Sequence, residues 1–208
     1  MTARRFTEPR LILATHNPGK VREFERLLAP TGVALDDMGA LPAPEETGAT
    51  FLDNARIKAR AAVAASGRPA LADDSGLAVR GLDGAPGVES ARWAGPDGDF
   101  AHAMQRVHDA LERRFDGFER ADLACAFVAV LVLAWPDGHE EVVEGRLDGT
   151  IAWPPRGEGG FGYDPMVVPS GETRTCAELT PEEKGAISHR GRAARALLAR
   201  CWPDAQTG

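Results

Sequence analysis

The hydrophobic positions of this chain change period several times, and each change marks an element. Arg10 to Thr15 is a short apolar run that predicts a strand. Directly after it, Val21, Phe24, Leu27 and Leu28 recur on one face of a helix that Asn17 caps and Pro18 enters in its first turn. Gly32, Gly39, Pro42 and Pro44 interrupt the next stretch, so a short strand is expected, then a loop running to Glu45-Glu46-Thr47-Gly48. An alanine-rich helix from about Thr50 to Ser66 stops at Gly67, with Pro69 just beyond. Pro69 to Ala72 reads as a short buried strand, and Ser75-Gly76 as the turn that ends it. A loop at Gly81 to Gly87 precedes an amphipathic helix, Asp99 to Phe115, that turns Phe100, Met104, Val107 and Leu111 inward.

The middle third is β-rich. Leu123 to Ala134 and Glu140 to Ala152, joined at Pro136-Asp137-Gly138, predict a long antiparallel hairpin. Trp153 to Gly160 is a glycine and proline loop. Thr180-Pro181-Glu182-Glu183 is a capping box, ahead of a helix from about Ile187 to Trp202. The order of elements predicts an α/β fold: two lobes around a long, twisted mixed β-sheet with flanking helices and an active-site groove between the lobes. No internal repeat or low-complexity segment interrupts it, and the chain reads as one domain, 1–208.

Composition narrows the ligand. The 208 residues carry a formal net charge of −7, the opposite of a duplex-binding footprint, so no nucleic-acid partner is expected. A polyanionic ligand has to be met by a local basic cluster or a metal. Cys125, Cys176 and Cys201 have neither metal-ligand spacing nor an even count, which fits free thiols in a reducing compartment and implies no structural zinc. Leu11 to Ala14 is too short for a signal-peptide core, and Leu123 to Trp135 falls below the roughly 18 residues of a membrane span. A cytoplasmic protein with no membrane partner is expected.

Candidate chemistry centres on Ala72-Asp73-Asp74-Ser75-Gly76-Leu77, where two carboxylates follow an apolar run. At a sheet edge such acids hold a metal or a water; as a solvated turn they would do neither. Thr15-His16-Asn17-Pro18-Gly19-Lys20 joins a strand to a helix N-terminus, where backbone N–H groups and the helix dipole favour a phosphate, although the sequence is not a P-loop. Asn54 and Lys58 share a helix face, from which Lys58 either reaches a phosphate or is solvated. Glu45 and Glu46 precede that helix, where a carboxylate can complete an oxygen site for Mg²⁺ with Asp73 or Asp74. In Gly159-Gly160-Phe161-Gly162-Tyr163-Asp164-Pro165 the two aromatics either stack on a base or lie in the core. Lys184, His189 and Arg190 are donors suited to phosphate oxygens or a base carbonyl.

These motifs, with Gly84-Ala85-Pro86-Gly87-Val88 and Ser188-His189-Arg190-Gly191, occur in an order that resembles the inosine/xanthosine triphosphate pyrophosphatase family over nearly the whole chain. The resemblance implies a Mg²⁺-dependent enzyme, commonly a homodimer, that hydrolyses deaminated purine nucleoside triphosphates (ITP, dITP, XTP) to the monophosphate and pyrophosphate. It implies that Asp74 is the proton acceptor and a metal ligand, with Glu46 and Asp73 as further acidic metal positions. It assigns phosphate contacts to Thr15, His16, Asn17, Pro18, Gly19, Lys20 and Lys58. Further nucleotide contacts fall to Ser75, Phe161, Gly162, Tyr163, Asp164, Lys184, His189 and Arg190, with Phe161 stacked on the purine and His189 and Arg190 reading O6. His16 and Asp53 depart from the common pattern, where glycine and glutamate are usual. Two rival readings are a related pyrophosphatase for other modified nucleotides and a nucleotide sensor without turnover.

Overall fold

A computed structural model describes residues 3–39 and 43–206. Residues 40–42 of the loop expected before Glu45, Pro42 among them, lie outside the described residues. The elements are β1 (Arg10–Leu13), α1 (Pro18–Leu28), β2 (Ala34–Asp36), α2 (Phe51–Ser66), β3 (Ala70–Val79), α3 (Phe100–Phe115), β4 (Ala124–Ala134), β5 (Glu140–Ile151), β6 (Val167–Pro169), α4 (Pro181–Ile187) and α5 (His189–Cys201). The strands form one mixed sheet in the order β2-β1-β3-β4-β5-β6. β1 runs parallel to β2 and to β3, and β5 antiparallel to β6. Trp135 N donates to His139 O and Ile151 N to Leu123 O, the antiparallel register of the expected hairpin between β4 and β5. None of the described helices is long and apolar enough to cross a membrane.

The chain divides into two compact units, one of residues 1–74, 129–145 and 190–208, the other of 75–128 and 146–189. In the first unit, strand alternation builds a core on each face of the sheet. Leu11, Leu13, Leu71, Leu131 and Leu133 face Phe24 and Leu28 of α1 and Ala194, Leu197 and Leu198 of α5. Ile12, Ala14, Ala70, Ala72, Val130 and Val132 face Ala55, Ala59 and Ala62 of α2. The small alanines let α2 lie close on the sheet. In the second unit Leu77, Val79, Phe127, Leu147 and Ile151 pack with Met104, Val107 and Leu111 of α3.

β3 corrects the expected turn at Ser75-Gly76. The strand continues to Val79, so Asp73 and Asp74 lie in its middle. Gly76 is a strand residue because the backbone passes so near the 87–90 segment that a side chain has no room: a Cβ there would sit 2.4 Å from Gly87 O and from Ser90 Oγ. Ser90 Oγ also accepts the Leu77 N–H at 2.9 Å. Gly76→Ala is therefore expected to cost about 1–3 kcal/mol, read as a lowered urea midpoint with unchanged slope. An unchanged midpoint would contradict this packing.

At the edge of the sheet Asp36 accepts from Arg10 and from Arg68, the latter at 2.6 Å, and these hydrogen bonds hold its carboxyl down at about 2. A depressed folded-state value stabilises above the ordinary Asp value of about 3.9 and loses that contribution as pH falls through the folded value. Acid titration of stability between about pH 4 and 2 should thus be shallower in Asp36→Asn than in the parent. Superimposable acid profiles would remove Asp36 from the acid transition.

Candidate active site

Adjacent residues on a strand point to opposite faces, and this sorts the two aspartates. Asp73 has the parity of Leu71 and faces α1 and α5; Asp74 has the parity of Ala70 and Ala72 and faces α2. β1 ends at Leu13, paired with Leu71, so on the β1 side the strand carrying both acids runs on past its parallel neighbour.

On the α1 and α5 face the chemistry is a buried charge network. Asp73 Oδ2 lies 2.8 Å from Lys20 Nζ and accepts from Arg190 Nε at 3.1 Å, while Arg190 Nη1 donates to Glu23 Oε2 at 2.5 Å. Asp73 and Arg190 are each 1% exposed. Burial opposes ionisation of Asp73, but Arg190 and Lys20 outweigh it and hold the carboxyl well below the usual carboxylate range. Arg190, expected to read a base, is here a buried guanidinium that joins two carboxylates, Asp73 and Glu23. Glu23 was not foreseen. Its sequence signal was available, since it lies one helical turn after Lys20 on α1.

On the α2 face, Lys58 Nζ lies 2.8 Å from Asp74 Oδ1 and 2.8 Å from Glu46 Oε1. Burial lowers the lysine's proton affinity, yet the two carboxylates more than offset this and raise its pKa. Asp74 is raised above its ordinary value, chiefly by burial, against the attraction of Lys58. Its second oxygen, Oδ2, is buried without a hydrogen-bond partner among the described residues. Asn54, one turn before Lys58, is buried, and its Oδ1 accepts the Gly48 N–H at 2.7 Å. Asn54 thereby anchors the loop that carries Glu46, a positioning role.

Glu46, Asp73 and Asp74 do not converge as a three-carboxylate site. Among the described residues, the group of three metal-competent side chains with ligand atoms mutually within 4.8 Å is His108, Asp109 and Glu112, on α3. The acids near β3 divide into Glu46 with Asp74 and, on the other face, Asp73.

The loop before α1 also differs from expectation. Asn17 Oδ1 accepts from Gly19 N at 2.9 Å and Lys20 N at 3.3 Å, and Thr15 Oγ1 accepts from Asn17 N at 3.1 Å. The cap takes two of the amides that a phosphate was expected to use. His16, Asn17 and Pro18 are exposed, and Lys20 turns inward to Asp73.

The second unit holds the other cluster. Lys184 Nζ donates to Asp164 Oδ2 at 2.6 Å and sits 4.8 Å from the centre of the Phe161 ring. Asp164 Oδ2 also accepts the Phe161 N–H at 2.7 Å. Gly160 and Gly162 have φ of +72° and +68°, which lets this turn fold back on itself. Tyr163 is core, as one of the two readings had it: its ring meets Phe100 edge-on at 5.4 Å and its hydroxyl donates to Ser90 O at 2.9 Å. His189 is buried and stacks on Phe127 at 5.0 Å. Ser75 is half-buried in β3.

The model of the Ham1 family matches residues 11–200. The chain belongs to the Ham1 family. Among curated Ham1-type relatives, the dITP/XTP pyrophosphatase of Rhodospirillum centenum is 58% identical over 97% of this chain and 100% of its own length. That of Gluconobacter oxydans is 53% identical over 92% of this chain and 90% of its own length. A solved HAM1 protein from Coxiella burnetii superposes with a TM-score of 0.84 at 41% identity, covering 92% of this chain and 98% of that one.

Proposed function

We propose that the protein hydrolyses deaminated purine nucleoside triphosphates, dITP, ITP and XTP, to the monophosphate and pyrophosphate, and so clears them from the nucleotide pool. The relatives that are 58% and 53% identical carry the name dITP/XTP pyrophosphatase, and the site chemistry supports the same reaction. The observation that carries the reading is the buried Asp74 carboxylate, with one oxygen that has no hydrogen-bond partner among the described residues and with Lys58 and Glu46 beside it.

Glu46 and Asp74 fit a Mg²⁺ ion: both are hard oxygen donors, the point between them already accommodates positive charge in the form of Lys58, and Asp74 Oδ2 has ligand capacity to spare. When bound, the ion would neutralise charge on the triphosphate and on the departing pyrophosphate. Asp74 orients a water towards the α-phosphorus and takes its proton, and the upward shift that burial gives its carboxyl makes it a better base than a solvated aspartate. Lys58 and Lys20 offset the negative charge of the phosphates, which a chain of net charge −7 would otherwise repel. Asp73 holds Lys20, and Asp73 is itself held by Arg190, which pairs in turn with Glu23.

Within the second unit, Phe161 is the group to stack on the purine, and Lys184 and His189 offer donors to O6. Adenine presents an amino group there, leaving the donors opposed to donors at about 1–3 kcal/mol for each buried group. The test is a panel of dITP, XTP, dGTP, dATP and dTTP with Mg²⁺, scored for pyrophosphate and orthophosphate. Pyrophosphate from dITP and XTP ahead of the rest is expected. Binding without turnover would favour the sensor, and preference for a pyrimidine or other nucleotide the related pyrophosphatase.

A further inference from the structure

We propose that the Lys58 ammonium occupies the cation position between Glu46 and Asp74 in the nucleotide-free protein, and must leave before a metal enters, so that metal and nucleotide bind as a coupled pair. The proposal rests on the reading of Glu46 and Asp74 as metal ligands, and adds to it what fills their site beforehand and what releases it.

Three observations support it. Lys58 Nζ is equidistant, at 2.8 Å, from one oxygen of each carboxylate. Those are ammonium-to-oxygen distances, whereas Mg²⁺ requires oxygens at about 2.0–2.1 Å, so the cradle is set for the lysine and has to contract for the metal. The lysine side chain is 12% exposed and lies between the two acids, so a divalent ion entering the same point would meet a positive charge at contact distance. Finally, Asp74 Oδ2 has no hydrogen-bond partner among the described residues, which leaves a donor oxygen ready once the lysine is gone.

The release follows from the same charges. One ammonium shared by two carboxylates is stable as long as no stronger anion is near. A triphosphate supplies that anion. The flexible four-carbon stem of a lysine lets the ammonium turn to phosphate oxygens while its backbone stays in α2. Glu46 and Asp74 then lose the positive charge they share, a change that favours a divalent ion. Each ligand therefore raises the affinity for the other by the same factor.

The test uses Mn²⁺ as the probe, with nucleotide absent, and unbound Mn²⁺ read by electron paramagnetic resonance. Lys58→Met should bind Mn²⁺ at least about tenfold more tightly than the parent, within the usual range of such couplings. Lys58→Arg, which keeps the charge, should stay as weak as the parent. Adding Asp74→Asn to Lys58→Met should abolish the gain. Equal affinity in the parent and Lys58→Met, or a gain that survives Asp74→Asn, would overturn the proposal.

If Lys58→Met does not fold, the parent decides. The chain has three lysines, Lys20, Lys58 and Lys184, so ¹³Cε-lysine labelling gives three assignable signals. Mg²⁺ at saturation should move the Lys58 signal, and a stationary Lys58 signal would overturn the displacement. Neither measurement depends on turnover, so an inactive dITP assay would remove the reaction and leave this result standing.

Discussion

Asp74→Asn is expected to lower turnover of dITP by about 10²–10⁴-fold, the usual contribution of a positioned general base. With no divalent metal present it should leave nucleotide affinity within about tenfold, or ~1.4 kcal/mol, of the parent. The amide keeps the shape of the side chain, and Lys58 retains Glu46 as a partner, so the fold should hold. The neighbouring substitution should behave differently. Asp73→Asn removes the charge that Lys20 and Arg190 share in a fully buried setting, so its main effect should be on stability. Measuring urea midpoints and kcat for both variants separates the two faces of β3. Near-parental turnover in Asp74→Asn would remove Asp74 from the role of base.

The largest expected loss of stability comes from Arg190→Met. That guanidinium is 1% exposed and bonds to both Glu23 and Asp73, and its removal takes a cation from two buried carboxylates, with Lys20 still beside Asp73. Breaking such a pair from one side costs about 3–5 kcal/mol. The deficit should also depend on pH, with a sign set by Asp73. In the parent its depressed pKa adds stability above the ordinary carboxylate value of about 3.9, and that contribution fades as pH falls. In the variant burial acts without Arg190, so the carboxyl shifts upward and acidification relieves it. The difference between parent and variant should therefore shrink from pH 7 towards pH 4. A loss below about 1 kcal/mol at pH 7, the value of an exposed pair, would contradict the network.

Much of this arrangement is legible in the sequence, for physical reasons. Asn17 with Pro18, Thr50 with Gly67, and Thr180 with Pro181 mark helix ends through hydrogen bonds made within a few residues, and the helices start and stop there. The hairpin of β4 and β5 follows from apolar runs joined at Pro136-Asp137-Gly138. The parity of Asp73 and Asp74 against Leu71 and Ala72 was equally present in the chain, and it alone places the two acids on opposite faces. What local reasoning could not supply were long-range contacts. Gly76 looked like a turn residue, and only the approach of Gly87 and Ser90 shows that it is a strand glycine. Arg190 looked like a ligand contact on a helix start. Its partners Glu23 and Asp73 are far away in sequence, and the helix between Ile187 and Trp202 is broken at Ser188, which caps α4 before α5 begins at His189.

Tyr163 and Asn54 teach the same lesson from opposite sides. Tyr163 was a candidate stacking group and its hydroxyl instead finds Ser90 O, as a buried phenol must find a partner. Asn54 was read as sharing a helix face with Lys58, and it holds Gly48, so its influence reaches the site through the loop that carries Glu46. In both cases the residue type is right for a polar task, and the fold decides which task.

We propose that a water activated by Asp74 attacks the α-phosphorus. Hydrolysis of dITP in ¹⁸O-enriched water, followed by mass spectrometry of both products, tests this directly. One ¹⁸O is expected in the nucleoside monophosphate and none in the pyrophosphate. Label in the pyrophosphate would mean attack at the β-phosphorus, and label in orthophosphate would mean a different cleavage altogether; either result would contradict the site as described.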